Sequence, residues 1–212
     1  MSKTISLRKF YRRILRLHIN QRYQRKIKNK DCSILSMNCV GGVVSHEFGL
    51  RFNSPTINLW FKPDEFIRFL SHLEHYLYNC EIQMDEEDSI KCGYPVGMID
   101  DIHVYFTHYE SFELAKKKWN ERLKRLNLNN LYIVMVQKDG CTEQDIESFD
   151  QLNFNHKVIF TAKKYPQYSS AYYIPHSEEY EYNVRNLCEY KSRHTGKRWL
   201  DEFDWVSFLN NR

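Results

Sequence analysis

The chain has 212 residues, 31 Lys+Arg against 27 Asp+Glu, and a formal charge of +4. That charge is unevenly spread: residues 1–30 hold eleven bases and no acid, which leaves twenty bases against 27 acids, a net of −7, in the rest. With 42% apolar and 15% aromatic residues and only 7 Gly and 5 Pro, the composition excludes disordered, collagen-like and low-complexity chains.

In chain order, the first unit is the basic arm, residues 1–30. Leu7, Phe10, Ile14 and Leu17 recur at spacings of three and four, while Arg8, Lys9, Arg12, Arg13 and Arg16 lie largely around the other face. The pattern predicts a basic amphipathic helix. Its functional reading is adsorption of residues 5–28 to an anionic membrane surface. The plainer readings are a helix packed on the body or on a partner, or a solvated arm. Nucleic acid is not expected, because the body is acidic and carries no nucleic-acid motif. No stretch approaches 18 apolar residues, so no segment is expected to span a bilayer.

The remainder, 31–212, is read as a single domain, a length at which one core suffices. Cys32–Met37 reads as a buried strand, followed by an Asn-Cys-Val-Gly-Gly turn and a short helix over Val43–Phe48. Thr56–Phe61 reads as a second strand. Pro63 opens a helix through Tyr78, with Pro in the first turn as expected. Glu86, Glu87 and Asp88 read as a solvated acidic connector. Ile102–Phe106 is predicted as a strand, Phe112–Leu126 as a helix, Leu131–Val136 as a strand, Glu143–Phe149 as a helix and Lys157–Thr161 as a strand. Residues 162–176 look irregular, and two helices near Glu178–Tyr190 and Phe203–Leu209 close the chain. Alternating strands and helices predict a three-layer α/β domain with a mainly parallel, Rossmann-like sheet.

Six cysteines stand singly, without a C-x-x-C pair, and no apolar run of signal-peptide type follows the basic N-terminus. Reduced thiols in the cytoplasm are therefore expected, and structural zinc with paired-cysteine spacing is not.

In open α/β sheets, ligands bind beyond the carboxyl ends of the strands. That rule collects Asn38, Cys39, Gly41 and Gly42 after the first strand. It adds Thr107, His108, Tyr109 and Glu110 after the Ile102 strand, Lys138 and Asp139 after the Leu131 strand, and Lys163 and Lys164 after the Lys157 strand. Cys39, on a turn leading into a helix, would feel the positive end of the helix dipole, which favours thiolate. Gly41 and Gly42 would leave N–H groups open to an anion or oxyanion. His46 or His108 could act as base, with Glu110 as orienter or helix cap. Against this, a free cysteine commonly packs as a small hydrophobe, and paired glycines commonly serve a tight turn. Asp100-Asp101 offers a carboxylate pair but precedes its strand, at the wrong end of the sheet for a metal-assisted site. His72 and His75 share a helix face with no third ligand in view. Trp119 and Arg122 read as core packing and a surface ion pair. No cofactor is expected.

The run Asn38-Cys39-x-Gly41-Gly42, Leu50-Arg51-Phe52-Asn53-Ser54-Pro55-Thr56-x-Asn58-Leu59, Tyr94-Pro95-Val96-Gly97, Phe106-x-His108-Tyr109-x-Ser111, Trp119-x-x-Arg122 and Lys157-Val158-Ile159-Phe160-Thr161 resembles the DUF1919 family of bacterial proteins, over about residues 31–210. Members are often labelled exopolysaccharide or capsule biosynthesis proteins. The resemblance implies a three-layer α/β fold and a setting in polysaccharide assembly, without an established reaction. The Cys39–Pro55 stretch has a looser likeness to papain-like cysteine peptidases. Together these readings lead to the expectation of a cytoplasmic-face transferase, glycosyl or acyl, acting on a lipid-linked or growing surface polysaccharide. Cys39, His108, His46 and Glu110 are its candidate catalytic residues. Asn38, Gly41, Gly42, Asn53, Ser54, Thr56, Tyr109 and Lys138 are its candidate substrate contacts, toward a carbohydrate with a nucleotide-sugar or acyl donor. The alternatives are a cysteine-dependent hydrolase and a non-catalytic partner in an assembly complex.

Overall fold

A computed structural model describes residues 7–178, 183–192 and 194–211. The chain runs α1 (Leu7–Lys26), β1 (Ser33–Ser36), α2 (Val40–Glu47), α3 (Pro63–Ser71), β2 (Gln83–Met84), α4 (Glu86–Cys92), β3 (Val96–Ile99), β4 (Ile102–Tyr105), α5 (Phe112–Leu123), β5 (Leu131–Val136), α6 (Glu143–Gln151), β6 (Lys157–Thr161), β7 (Ala171–Tyr173) and α7 (Trp205–Asn210). Four strands make a parallel sheet in the order β1-β5-β6-β7. Three others make a small antiparallel sheet, β2-β3-β4.

The parallel sheet forms because its inner strands are apolar on both faces, as layers of covering structure on each side require. Every residue of β5 is buried. Leu131, Ile133 and Met135 pack with Leu35, Ile159 and the inner faces of α3, α5 and α6. The alternate residues Tyr132, Val134 and Val136 pack with Ile34, Val158, Phe160, α2 and the C-terminal residues Trp199 to Leu209. The period of two thus divides one strand between two cores and makes the three-layer α/β domain anticipated from sequence.

Several elements differ from the sequence reading. Thr56–Phe61 is not a strand. Only Trp60 pairs, as an isolated bridge to Tyr105, while the Phe61 N–H donates to the Met37 carbonyl at 2.9 Å. This segment therefore ties the end of the large sheet to the small one. The Ile102 strand belongs to the antiparallel sheet, because the two-residue Asp100-Asp101 turn, with Asp100 at φ 55°, folds it back on Val96–Ile99 as a hairpin. The acidic connector is a helix. Asp85 caps it by accepting from the Asp88 N–H, and Glu86, Glu87 and Asp88 occupy its first turn, where the helix dipole favours carboxylates. The long helix from Pro63 ends at Ser71, and a π-helical turn, His75–Asn79, follows it. The stretch 162–176 contains β7. Of the helix expected over Glu178–Tyr190, residues 179–182 lie outside those described, and 183–190 are turn and extended chain.

The arm is a 20-residue helix, as its periodicity predicts, but the face that meets the body mixes polar and apolar residues. Arg12, Leu15, Arg16, Ile19, Tyr23 and the following Ile27 are turned inward. Arg16, only 4% exposed, donates from Nε to Glu47 at 3.1 Å and from Nη1 to Asp201. Arg198 Nη1 closes on the same Glu47 at 3.0 Å, and the Tyr23 hydroxyl donates to Asp201 at 3.0 Å. Burial works against the Arg16 charge, but the hydrogen bonds it donates to Glu47 and Asp201 hold it protonated even more firmly than a free guanidinium. Conversely, the apolar residues Phe10, Ile14 and Leu17 are 56%, 38% and 59% exposed. No helix of the described residues is long and apolar enough to cross a membrane.

Candidate cleft at the strand ends

β1 and β5 end side by side, and the residues just past them open into a cleft of about 410 Å³. Its lining includes Asn38 and Cys39 after β1, Lys138 and Asp139 after β5, His108 and Trp60 from the side of the small sheet, and Arg185, Asn186 and Cys188 from the C-terminal segment. Five residues expected at a common rim, Asn38, Cys39, His108, Lys138 and Asp139, are thus brought together. His108 arrives from an antiparallel strand and a following turn, where the Tyr109 N–H donates to the Phe106 carbonyl. Asp139 and Gly140 both take positive φ, 57° and 89°. This sharp reversal lifts Lys138 and Asp139 out of the sheet, at the cost of holding a non-glycine residue in the left-handed region.

The floor is built by α2. Its first turn is closed from within: the Val40 N–H donates to Asn38 Oδ1 at 3.1 Å and the Gly41 N–H to Ser36 Oγ at 3.2 Å. Gly41 is buried, and a Cβ there would lie 2.7 Å from the Ser36 Cβ. Its glycine is therefore explained by close helix–strand packing, and its N–H is not presented to an anion. Gly42 faces the side chain of Asn58, 3.3 Å from where a Cβ would stand.

Cys39 sits at the N-cap of α2, as the thiolate argument requires, yet its environment acts the other way. Burial, then the neighbouring Cys188, push the thiol up from its ordinary 9.0. Its Sγ contacts the Leu59 carbonyl at 4.0 Å, and no hydrogen bond joins it to a histidine among the described residues. Desolvation outweighs the dipole of one short helix. None of the six cysteines is joined in a disulfide.

The other expected residues lie elsewhere. His46 is exposed and lines a separate cleft between α1 and α2, with Arg13, Leu17, Gly42 and Asn58. Glu110 is exposed, and Ser111 rather than Glu110 caps α5, accepting from the Leu114 N–H. Asn53, Ser54 and Thr56 are buried. Thr56 Oγ1 accepts from the Ser36 N–H at 2.9 Å and meets Ser54 Oγ at 3.0 Å. The Tyr109 hydroxyl donates to the Ile57 carbonyl at 2.9 Å, and Arg122, buried, donates to the same carbonyl at 3.1 Å. Arg122 is therefore a brace of the 50–58 loop rather than half of a surface ion pair, while Trp119 packs in the core as read. Lys163 and Lys164 line an adjacent cleft with Gln137, Gly140 and Glu143.

Four contributors to the cleft were absent from the sequence reading of the site. Trp60 stacks on Tyr105, ring centroids 4.0 Å apart, and donates from Nε1 to Tyr94 at 3.3 Å. Arg185 lies 3.6 Å over the Trp199 ring and donates to the His176 carbonyl. Asn186 and Cys188 follow it. The cleft thus combines a fixed aromatic plane, two cations against one carboxylate, an imidazole, two carboxamides and two thiols. A larger cleft, about 1000 Å³, lies at the opposite strand ends among Asp31, Asn127, Asn130 and His156. Its size does not make it the better candidate, because its lining is dominated by asparagines and includes neither lysine nor arginine.

The model of a domain of unknown function, DUF1919, matches residues 10–210. The match thus takes in most of α1, which the resemblance in the motifs had left outside. An uncharacterized protein of Haemophilus influenzae is similar to this chain, 41% identical over 196 residues that cover 92% of each protein.

Proposed function

The chain belongs to the DUF1919 family, and on that premise we propose that the strand-end cleft transfers a glycosyl group from a phosphate-linked sugar donor to a lipid-linked or growing surface polysaccharide. The observation that carries this reading is the pairing of Lys138 and Arg185 with His108 and Trp60 in one cleft. Two cations in a chain whose body is net acidic create a local positive site for a diphosphate. Trp60, held flat against Tyr105, offers a face for a sugar ring or a base. His108, exposed at the rim, takes the proton of the acceptor hydroxyl as the new C–O bond forms. The anomeric carbon–phosphate bond breaks in the same step, and the departing diphosphate keeps the electron pair beside Lys138 and Arg185. The body's overall −7 is then no obstacle, because the donor meets the local field.

Cys39 in this reading is a packing residue of the floor. The acyl-transfer and cysteine-hydrolase versions both need a thiolate with a base, and the raised Cys39 thiol works against them. The exposed Phe10, Ile14 and Leu17, flanked by Lys9 and Arg13, are the surface by which α1 lies on the anionic inner face of the plasma membrane. Such an attachment would hold the cleft near a lipid-linked acceptor.

Calorimetric titration of the full chain with UDP and GDP tests the donor site. Saturable binding is expected, weakened at least tenfold by Lys138→Ala together with Arg185→Ala, and unaffected by Lys91→Ala far from the cleft. Absence of binding to both nucleotides, or equal binding by the double variant, would overturn the proposal.

A further inference from the structure

Away from the cleft, the hairpin turn at Asp100 and the π-helical turn after α3 bring three unlike ligand groups together. His75 Nε2 lies 3.0 Å from Asp100 Oδ2 and 3.2 Å from Cys80 Sγ, and the three ligand atoms all fall within 4.8 Å of one another. In sequence these residues are 5 and 20 positions apart, and each looked incomplete: an acidic pair at the wrong end of a strand, and a helical histidine without a third ligand. The fold joins them.

Protons alone satisfy these contacts poorly, because one nitrogen, His75 Nε2, faces both partners and the Cys80 sulfur is only a weak acceptor. A neutral imidazole with hydrogen on Nε2 can donate to Asp100, but then it has no lone pair for the Cys80 thiol. With hydrogen on Nδ1 it can accept from the thiol, but then it sets a lone pair against the Asp100 carboxylate. A cation placed among the three atoms uses one lone pair from each.

We infer that His75 Nε2, Cys80 Sγ and Asp100 Oδ2 are three protein ligands of a zinc(II) site, with solvent as the fourth ligand. Thiolate with imidazole and carboxylate is a zinc-type donor set rather than one for magnesium or calcium. Tetrahedral zinc with Zn–N and Zn–O near 2.0–2.1 Å and Zn–S near 2.3 Å places N and O about 3.3 Å apart, and N and S about 3.6 Å apart. The two His75 separations need open by only a few tenths of an ångström, Cys80 Sγ and Asp100 Oδ2 stand within 4.8 Å of each other where such a site places them about 3.6 Å apart, and all three residues are accessible enough to move. Binding forms three coordinate bonds and expels the Cys80 thiol proton to solvent; the imidazole proton resides on Nδ1. His75 also lines the large cleft at the strand N-termini, so the ion would stand at its edge. Asp101 is not a ligand, being held by the Tyr76 hydroxyl at 2.6 Å and by Arg68 at 2.7 Å. The other mixed cluster, Asp85, Asp88 and His103, is already engaged, with Asp85 capping α4, Lys91 near Asp88 and Glu65 on His103 Nδ1.

The test uses the full chain stripped of metal by a chelator. It is titrated with zinc(II) by calorimetry and, separately, with cobalt(II) by absorption spectroscopy. One equivalent should bind, and cobalt should show a thiolate charge-transfer band in the near ultraviolet that Cys80→Ser abolishes and Cys92→Ser keeps. His75→Ala and Asp100→Asn should each weaken zinc at least tenfold, with unchanged circular dichroism establishing that the variants fold. Absence of the band at one equivalent, its survival in Cys80→Ser, or undiminished zinc affinity in both other variants would overturn the assignment.

Discussion

Replacing Arg16 by Met tests whether the N-terminal helix is a detachable arm or part of the fold. Met retains much of the apolar stem but removes the charge that faces Glu47 and Asp201, whose side chains are 5% and 3% exposed. Breaking a buried ion pair from one side costs about 3–5 kcal/mol, because a carboxylate is left desolvated without its counter-charge. Here both acids keep other partners. Glu47 retains Arg198 at 3.0 Å, and Asp201 retains the Tyr23 hydroxyl at 3.0 Å and the Arg198 N–H at 2.7 Å. The low end, about 3 kcal/mol, is therefore expected. For a chain of this size each kcal/mol moves the midpoint by about 2–4 °C, giving a fall of roughly 6–12 °C. Thermal unfolding followed by circular dichroism measures it, with exposed Arg22→Ala as the control, expected within about 0.5 kcal/mol of the parent. A fall no larger than the control's would refute the argument that α1 is locked to the body by this cluster.

Gly41→Ala should cost about 1–3 kcal/mol by chemical denaturation, since its methyl would overlap Ser36 on β1; an unchanged midpoint would mean that α2 can lift off the sheet freely. Cys39→Ser should leave glycosyl transfer in the parent's order of magnitude, whereas a loss of several orders would restore the nucleophile reading. The raised Cys39 thiol should alkylate slowly at neutral pH, its rate still climbing above the ordinary thiol range, because the thiolate fraction grows only as pH nears the higher value. Labelling already complete and pH-independent at neutrality would contradict that. Phe10→Ser, Ile14→Ser and Leu17→Ser together should abolish sedimentation with anionic vesicles without lowering the thermal midpoint, a combination that deleting the helix could not give.

The sheet was legible in the sequence wherever one segment contained its own signal. Leu131–Val136 is a continuous apolar run, Lys157–Thr161 is built around Val158-Ile159-Phe160, and Phe112–Leu123 carries a helical stripe with Ser111 as cap. Shorter elements were not legible. Val96–Ile99 becomes a strand only because Asp100-Asp101 makes a tight turn, and the acidic stretch after Asp85 becomes a helix through a cap and its dipole. Part of the cleft followed from the strand-end rule, which picked out Asn38, Cys39, His108, Lys138 and Asp139. Trp60, Arg185 and Cys188 escaped it, because their positions depend on a single bridge to Tyr105 and on a C-terminal segment with no regular structure. The polar residues of the Asn53–Thr56 run looked like ligands, but a motif cannot distinguish a side chain that holds a substrate from one that holds a neighbouring loop.

The Arg16–Asp201 contact joins residues 185 positions apart, which has a consequence for the order of events during synthesis. Glu47 leaves the ribosome soon after α1, but Asp201 and the Arg185–Cys188 wall of the cleft come last. For most of translation the basic helix therefore has half of its acidic clasp, and the cleft lacks one side. Closing so long a loop is an expensive, late step. A chain stopped before residue 185 would lack both the clasp and the cationic wall, so nascent protein should acquire its fastened helix and its donor site together, once residues 185–201 have emerged.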